Sequence, residues 1–320
     1  MANSSSKRRG EFALIGELFA PLAGPGAYGL TDDAATVALA KGHELVVTTD
    51  AVVEGVHFLS DDPPETIGRK ALRVNLSDLA AKGAAPLGYL LVLSLPKYIG
   101  FDWLKKFAKG LAKDQREFGI ALLGGDTTAT PGPLTIAITA LGTIPKSRMI
   151  RRKGAKPGDL VFVSGTIGDA GAALALLKRK AKEPRSLIAR YRMPVPRLAL
   201  GLALRDVASA GIDVSDGLLA DLGHIADVAG VRITVDVGRL PLSRAFRAWG
   251  GKPTVAATAG DDYEIAFTAP ARKLAAVARA AVSADTPVAL IGRVVRGEGV
   301  ALLDASGREI AVKRRGFTHF

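Results

Sequence analysis

The chain has 320 residues, 48% of them hydrophobic, which is typical of a globular protein with two domains that each bury a core. It contains no cysteine, which excludes disulfide bonds and thiolate metal sites, and a cytoplasmic location is expected. The net charge of +12 is spread along the chain without interleaved aromatic residues or a nucleic-acid-binding motif, so binding to DNA or RNA is disfavoured.

The first segment, residues 1–10, is polar and basic and lacks the apolar stretch of a secretory signal, so we expect a disordered tail. The longest apolar run, residues 87–95, has the length of a strand. It falls short of the roughly 20 residues that a membrane-spanning helix needs, so no membrane association is expected.

Strand and helix patterns alternate through the first half of the chain. Helices are predicted at residues 66–81 and 102–118, the second with Asp102 as a candidate N-cap and Gly119 suited to the left-handed position after it. Strands are predicted at residues 44–49, 88–95, 120–123 and 134–144. Residues 145–157 are basic and interrupted by Gly and Pro, which indicates a boundary between domains of residues 11–145 and 146–320.

The second half repeats this alternation. Helices are predicted after Gly168 and at residues 185–191, 197–208 and 218–228, the last ended by Gly230. Strands are predicted at residues 159–164, 212–214, 231–237, 264–268 and 288–294. We therefore predict an α+β protein of two α/β domains with the active site in the cleft between them.

Aspartates recur in five short segments at predicted strand ends or in turns. Clustered carboxylates repel one another unless a cation neutralises them, and oxygen ligands without thiolates favour Mg²⁺ over zinc. We predict a magnesium and polyphosphate site built from Thr31-Asp32-Asp33-Ala34, Thr48-Thr49-Asp50, Asn75-Leu76-Ser77-Asp78, Gly124-Gly125-Asp126-Thr127 and Asp213-Val214-Ser215-Asp216.

The first two segments also have plainer interpretations. Thr48, Thr49 and Asp50 are predicted to present three oxygen donors together at a strand end. Asp50 alone would equally fit a turn with an Asx hydrogen bond. Asp32 and Asp33 diverge in an extended segment, so only one is expected to bind a metal directly, and Asp33 is favoured.

The remaining segments combine a candidate site role with structural alternatives. Asp78 lies in an apolar helical stretch, where an unpaired carboxylate is costly, so a metal is expected to compensate it. Gly124 and Gly125 can adopt positive φ and leave room for a phosphate against backbone N–H groups. Ser215 or Asp216 could instead be the N-cap of the helix that follows.

Several familiar catalytic motifs are missing from the sequence. There is no phosphate loop, no protein-kinase motif pair and no G-x-S-x-G motif. Of the four histidines, only His57 is expected near the site. His43 and His224 are expected at the surface or in packing, and His319 is too close to the C-terminus to place.

Ordered motifs cover nearly the whole chain: Gly10-Glu11-Phe12, Thr48-Thr49-Asp50, Val56-His57-Phe58, Val74-Asn75-Leu76-Ser77-Asp78-Leu79-Ala80, Leu123-Gly124-Gly125-Asp126-Thr127-Thr128, Gly154-Ala155-Lys156-Pro157-Gly158-Asp159, Ile212-Asp213-Val214-Ser215-Asp216-Gly217, Gly260-Asp261-Asp262-Tyr263-Glu264 and Gly316-Phe317-Thr318-His319-Phe320. Together they resemble the thiamine-monophosphate kinase family. That family shares a superfamily with aminoimidazole ribonucleotide synthetase, selenophosphate synthetase and a hydrogenase maturation factor.

The resemblance implies transfer of the ATP γ-phosphoryl group to thiamine monophosphate, with several Mg²⁺ ions, by a homodimer formed through the N-terminal domain. The metal ligands it implies are Asp33, Thr48, Thr49, Asp50, Asp78, Asp126, Asp213 and Asp216. The ATP contacts are Gly125, Asp126, Arg152 and Ser215, and the substrate contacts are His57, Asp261 and Phe317. Asp50, Asp126 and Arg152 are the residues expected to carry catalysis.

The chemistry of the acceptor agrees with this implication. A phosphomonoester has a second pKa near 6 and is largely a dianion at pH 7, so transfer needs charge neutralisation and in-line positioning rather than a general base. Phe317 and Asp261 could hold the cationic thiazolium ring.

Two residues depart from the family pattern. Thr31 stands where Gly often precedes the Asp pair, and Asp261 stands where Glu is usual. Two alternatives remain: another acceptor within the superfamily, although selenophosphate synthesis is disfavoured without Cys, or a non-catalytic polyanion-binding protein.

Overall fold

The computed structural model describes residues 11–318, with side chains from residue 13 onward. The predicted N-terminal tail and His319 lie outside the described residues. The chain divides into two compact units, Met1–Asn75 with Pro86–Thr143 (unit 1) and Leu76–Ala85 with Ile144–Phe320 (unit 2). Across residues 11–318, we find no helix whose length and apolarity would allow it to cross a membrane.

Unit 1 is built around a four-stranded sheet. Its strands are β1 (His43–Val53), β2 (Ala85–Leu95), β3 (Ala121–Ala129) and β4 (Thr135–Pro145), and its helices are α1 (Glu11–Leu14), α2 (Pro64–Ala81, whose last turns belong to unit 2) and α3 (Phe101–Phe118). The strand order is β1-β4-β2-β3, with β2 and β3 parallel. Both β1 and β3 extend beyond the predicted strands at residues 44–49 and 120–123.

Helices cover one face of this sheet. Leu104, Phe107 and Leu111 of α3 are buried, and Gln115 Nε2 donates to Tyr89 Oη of β2 at 3.2 Å. The other face is left open in unit 1. Along β2, buried Leu91 and Leu93 alternate with Leu90 and Val92, which are each 38% exposed.

The ends of α3 follow the sequence prediction only in part. Gly119 has φ 65° and ends the helix in the left-handed region, as predicted. The N-cap is Gly100, so the prediction of Asp102 as N-cap is wrong. Asp102 lies in the first turn, where a carboxylate is favoured by the helix dipole.

Unit 2 is built around a six-stranded mixed sheet. Its strands are β5 (Asp159–Ser164), β6 (Ala210–Asp213), β7 (Arg232–Asp236), β8 (Ile265–Pro270), β9 (Val288–Val295) and β10 (Gly299–Leu303), in the order β10-β7-β9-β5-β8-β6. Its helices are α4 (Asp169–Lys178), α5 (Arg185–Arg192), α6 (Leu198–Ala203), α7 (Leu218–Ala229), α8 (Arg244–Ala248), α9 (Pro253–Ala256) and α10 (Leu274–Ser283). Strand β10 and helices α8 to α10 were not predicted from the sequence, and α6 is shorter than the helix predicted at residues 197–208.

The core of unit 2 lies between the sheet and its helices. Val161, Val163 and Ile212 of the sheet are buried with Leu222 and Ile225 of α7. This packing holds the end of β6 beside the start of α7. The two predicted metal ligands Asp213 and Asp216 lie in that connection.

Candidate functional site

The predicted donors of β1 do not project together from a strand end. β1 continues to Val53, so Asp50 lies inside the strand, and successive side chains point to opposite faces. Thr48 and Asp50 therefore share one face, and Thr49 lies on the other. The backbone N–H of Asp50 donates to Asn75 Oδ1 of α2 at 3.0 Å. A simple Asx turn at Asp50 is likewise excluded by the strand.

Three other predicted site residues of unit 1 line one cavity. Asp33, Gly125 and Asp126 border a space of about 730 Å³, together with apolar side chains of β2 and β3. Thr139 of β4 also lines it, and its Oγ1 donates to Thr49 Oγ1 at 3.1 Å. Thr49 therefore lies next to the residues that line this cavity, on the open face of the sheet.

Gly125 has a packing role that differs from the predicted one. Its φ is not positive, and it lies within β3, paired with Leu91 of β2. A Cβ at Gly125 would lie 1.8 Å from the Leu91 carbonyl oxygen. Glycine is needed here because the two strands approach closely beside Asp126, and not because the chain turns.

Asp50 and Asp126 are separated within one copy of unit 1. They lie on β1 and β3, the two edge strands, and three strand spacings amount to about 14 Å in a flat sheet. Two ligands of one Mg²⁺, each bound at about 2.1 Å, lie within about 4 Å of each other. The faces also differ, since Asp50 shares its face of β1 with buried Val46 and Val52, which are four and two residues away, whereas Asp126 pairs with exposed Val92.

His57 lies in the turn after β1 and is half-buried. Its Nδ1 accepts the backbone N–H of Val53 at 3.0 Å, so in the neutral ring Nε2 carries the proton. The buried Lys70 donates to the His57 carbonyl at 2.8 Å. Together these contacts hold the imidazole and its backbone in one orientation.

Unit 2 gathers the remaining predicted carboxylates. Burial raises the pKa of Asp213 well above its ordinary value, and the neighbouring charges of Asp78 and Asp221 raise it further. A hydrogen bond of 2.9 Å from Ser77 Oγ and the ammonium of Lys82 act in the opposite direction. The end of α2, the end of β6 and the start of α7 thus converge on one acidic cluster.

Two cations border this acidic cluster. Lys82 lies one helical turn after Asp78, and its Nζ donates to the Gly211 carbonyl at 2.8 Å. Burial, followed by the nearby charge of Arg152, lowers the pKa of Lys82 to about 8. Asp78 is half-buried and has Lys82 beside it, so Lys82 compensates part of its charge, and a metal at Asp78 stays a prediction.

The start of α7 is capped from within the helix. Its N-cap is Gly217, with φ 130°, so neither Ser215 nor Asp216 is the N-cap. Asp221 Oδ2 accepts the backbone N–H groups of Asp216 at 3.2 Å and Gly217 at 3.0 Å. The ligand atoms of Asp216, Asp221 and His224 all lie within 4.8 Å of one another. His224, expected at the surface, is exposed and also borders the acidic cluster.

Asp221 should make folding stability depend on pH. Burial, followed by the charge of Asp216, raises the pKa of Asp221 from 3.8 to about 7. Between these values the folded protein binds more protons than the unfolded chain, so the free energy of unfolding falls as pH rises from about 4 to about 7. In Asp221→Asn we expect a smaller fall, measured by urea unfolding at pH 5 and pH 7.5 in EDTA. An equal fall in both proteins would contradict the raised pKa.

Main-chain hydrogen bonds bring three predicted contact residues of unit 2 together. Asp261 N–H donates to the Ser215 carbonyl at 2.8 Å, and Phe317 N–H donates to the Asp216 carbonyl at 2.9 Å. A Cβ at Gly260 would lie 2.6 Å from the Ser215 carbonyl oxygen, so glycine permits this approach. Phe317 is 50% exposed beside the acidic cluster.

Several side chains of these clusters were not predicted from the sequence. Lys82 follows Asp78 by four residues, a spacing that places both on one helix face and could have been noticed. Asp221 carries a weaker signal, since an acidic residue in the first turn of a helix is common. Asn75 and Ser77 lie within a quoted motif, but their partners come from distant segments, so only the structure identifies their roles.

Matches to known proteins, by family model, by sequence and by structure, cover most of the chain and are consistent with one another. The models for the N-terminal and C-terminal domains of AIR synthase related protein match residues 31–144 and 156–304. Thiamine-monophosphate kinase of Caulobacter vibrioides is 44% identical, covering 97% of this chain and 90% of its own. The crystal structure of thiamine-monophosphate kinase from Stenotrophomonas maltophilia K279a matches with a TM-score of 0.81 at 43% identity, covering 88% of this chain and 91% of that one. The structure of AaThiL complexed with AMPPCP and TMP matches with a TM-score of 0.79 at 32% identity, covering 92% and 97%.

Proposed function

The chain belongs to the AIR synthase related family and, within it, to the thiamine-monophosphate kinases, and we propose that it transfers the γ-phosphoryl group of ATP to thiamine monophosphate, giving thiamine diphosphate. The resemblance noted in the sequence is confirmed, as is the prediction of two mixed α/β domains of the family type. The protein is accordingly a kinase.

One observation of the structure carries this proposal. In unit 2, Asp78 of α2 and the pair Asp213 and Asp216 of the β6–α7 connection come from two separate segments and converge in one acidic cluster that Arg152 borders. Carboxylates that are held close together without enough cations to balance them are suited to a polyphosphate substrate that arrives with metal ions.

The donor set fits Mg²⁺. Every predicted ligand offers a carboxylate or hydroxyl oxygen, the type that Mg²⁺ prefers. In the acidic cluster, the carboxylates of Asp78, Asp213, Asp216 and Asp221 outnumber the two cations that border it, Lys82 and Arg152. Bound Mg²⁺ would neutralise phosphate oxygens and hold them in position. The residues that we propose to hold several ions are Asp33, Thr48, Thr49, Asp50, Asp78, Asp126, Asp213 and Asp216.

The protein's own groups have defined tasks in the proposed direct, in-line transfer. We assign Gly125, Asp126, Arg152 and Ser215 to ATP, because Gly125 is exposed beside Asp126 in β3 and Arg152 is exposed and cationic. The acceptor dianion needs no general base, so catalysis rests on orientation and on charge balance.

The proposed contacts to the acceptor are His57, Asp261 and Phe317. The hydrogen bond from the Val53 N–H to Nδ1 fixes the His57 ring, and this orientation supports a contact with the acceptor. Asp261 and the exposed Phe317 ring lie on linked loops and suit the cationic thiazolium ring by Coulomb and cation–π attraction.

We also propose that the enzyme is a homodimer formed through its N-terminal domain. Val47, Leu90 and Val92 are exposed on the open face of the unit 1 sheet, which supports a covering partner. Asp50 and Asp126 are far apart within one chain, and this separation supports a second copy as that partner. A second copy could bring its own Asp126 to the Asp50 of the first chain. The domain boundary at residue 145 and a cytoplasmic location remain parts of the proposal.

The reaction can be tested by ³¹P NMR with purified protein, ATP and thiamine monophosphate, first with Mg²⁺ and then with EDTA. We expect thiamine diphosphate and ADP to form in equal amounts, and only with Mg²⁺. A folded protein that binds ATP but forms no thiamine diphosphate would contradict the acceptor.

A further inference from the structure

The loop before β8 has an uncommon backbone conformation. Asp261 and Tyr263 have φ of 69° and 51°, in the left-handed region that non-glycine residues rarely adopt. Each such residue costs about 1 kcal/mol or more, so the surroundings must hold the loop in this form. Between them lies Asp262, whose side chain is only 1% exposed.

Asp262 anchors the loop to the start of α4. Its Oδ2 accepts the Gly168 N–H at 2.6 Å, and its Oδ1 accepts the Ala170 N–H at 3.4 Å. These backbone N–H groups belong to the N-cap and first turn of α4, which have no partners within the helix and favour a negative charge. Arg190 Nη2 adds a hydrogen bond of 3.2 Å to the Asp262 carbonyl.

The residues on either side of Asp262 donate hydrogen bonds to the β6–α7 connection instead of α4. Asp261 N–H donates to the Ser215 carbonyl at 2.8 Å, and Tyr263 N–H donates to the Val214 carbonyl at 2.7 Å. Tyr263 Oη donates to Asp261 Oδ1 at 3.2 Å. The loop is thus held between α4 and the β6–α7 connection, with the Asp261 carboxylate oriented by Tyr263.

We propose that Asp262 is a positioning residue for recognition of the acceptor: by anchoring the loop to α4, it holds Asp261 in the left-handed conformation that presents its carboxylate to the cationic ring of thiamine monophosphate. This inference rests on the proposed function and on the assignment of Asp261 to the acceptor. Without the anchor, Asp261 relaxes toward ordinary φ values and its carboxylate leaves the binding position.

The test compares Asp262→Ala, Asp262→Asn and a matched control in steady-state kinetics. In Asp262→Ala we expect the KM for thiamine monophosphate to rise about tenfold, with kcat and the KM for ATP within about twofold of wild type. Asp262→Asn keeps an oxygen that accepts the Gly168 N–H, so most of the affinity should return. The control is Asp169→Ala.

Asp169 is a suitable control because it is a buried carboxylate of the same helix start. Its oxygens accept Ser243 Oγ at 2.6 Å and Thr166 Oγ1 at 2.7 Å, and neither bond reaches the loop. Its removal should lower thermal stability and leave the KM for thiamine monophosphate unchanged. An equal rise in KM in Asp169→Ala would overturn the proposal, because general loosening would then account for it.

The remaining outcomes separate this inference from the proposed function. A wild-type protein that does not phosphorylate thiamine monophosphate overturns both. Suppose that the wild type is active and that Asp261→Ala raises the KM for thiamine monophosphate. If a folded Asp262→Ala then leaves this KM unchanged, only the positioning role of Asp262 is overturned. If Asp262→Ala does not fold, Tyr263→Phe decides, because it removes only the hydroxyl that orients Asp261; an unchanged KM there overturns the proposal.

Discussion

Asp126→Asn is expected to lower kcat for thiamine diphosphate formation by about a thousandfold, and Asp50→Asn should do the same. An amide lacks the negative charge of the carboxylate, so it binds Mg²⁺ more weakly and neutralises less of its charge, yet it has nearly the same size. Both side chains are exposed in unit 1, so the fold should be retained. Rates with Mg²⁺ and ATP measure the effect, and thermal melting checks the fold. Asp102→Asn, an exposed carboxylate of α3, is the control and should retain wild-type rates.

Mixing the two inactive proteins tests the shared site. If Asp50 of one chain works with Asp126 of the other, a heterodimer of the two variants contains one site with both aspartates intact. Random exchange makes half of the dimers mixed, so the mixture should regain about one quarter of the wild-type activity. Full activity in either single variant would remove the metal assignment. Two inactive variants that regain nothing after verified subunit exchange would keep that assignment and contradict the shared site.

Gly125→Ala is expected to reduce the stability of the protein by about 3 kcal/mol or more and to abolish activity with it. The added Cβ would lie 1.8 Å from the Leu91 carbonyl oxygen, so the backbones of β2 and β3 would have to move apart. That movement would displace Asp126, the next residue in β3. Urea unfolding measures the change in stability, and the kinase assay measures the loss of turnover.

The neighbouring glycine provides a matched control for this prediction. A Cβ at Gly124 would meet Leu90 Cδ2 at 3.5 Å, which is an ordinary contact with a flexible side chain. Gly124→Ala should therefore change stability by no more than about 1 kcal/mol. Similar losses in both variants would contradict the close approach of β3 to Leu91 as the cause.

The local pattern of the sequence was sufficient for most elements and for the family. Apolar periodicity predicts α2, α3 and β5 close to their observed bounds, and Gly119 and Gly230 end their helices in the left-handed region, as expected of glycine. These features depend on neighbours in the chain, so they can be inferred from the sequence alone. The ordered motifs likewise identified the family, because their residues and spacing belong to the sequence itself.

The arrangement of the site was decided by the tertiary structure. The sequence grouped Asp50 with Asp126 as ligands, but the strand order places them at opposite edges of one sheet. It gave no role to Asp221, which accepts the N–H groups at the start of α7. Strand order, the face that a side chain occupies and the burial of a carboxylate all depend on segments far apart in the chain. Local patterns do not contain that information, so a sequence can name the donors of a site without determining which of them meet.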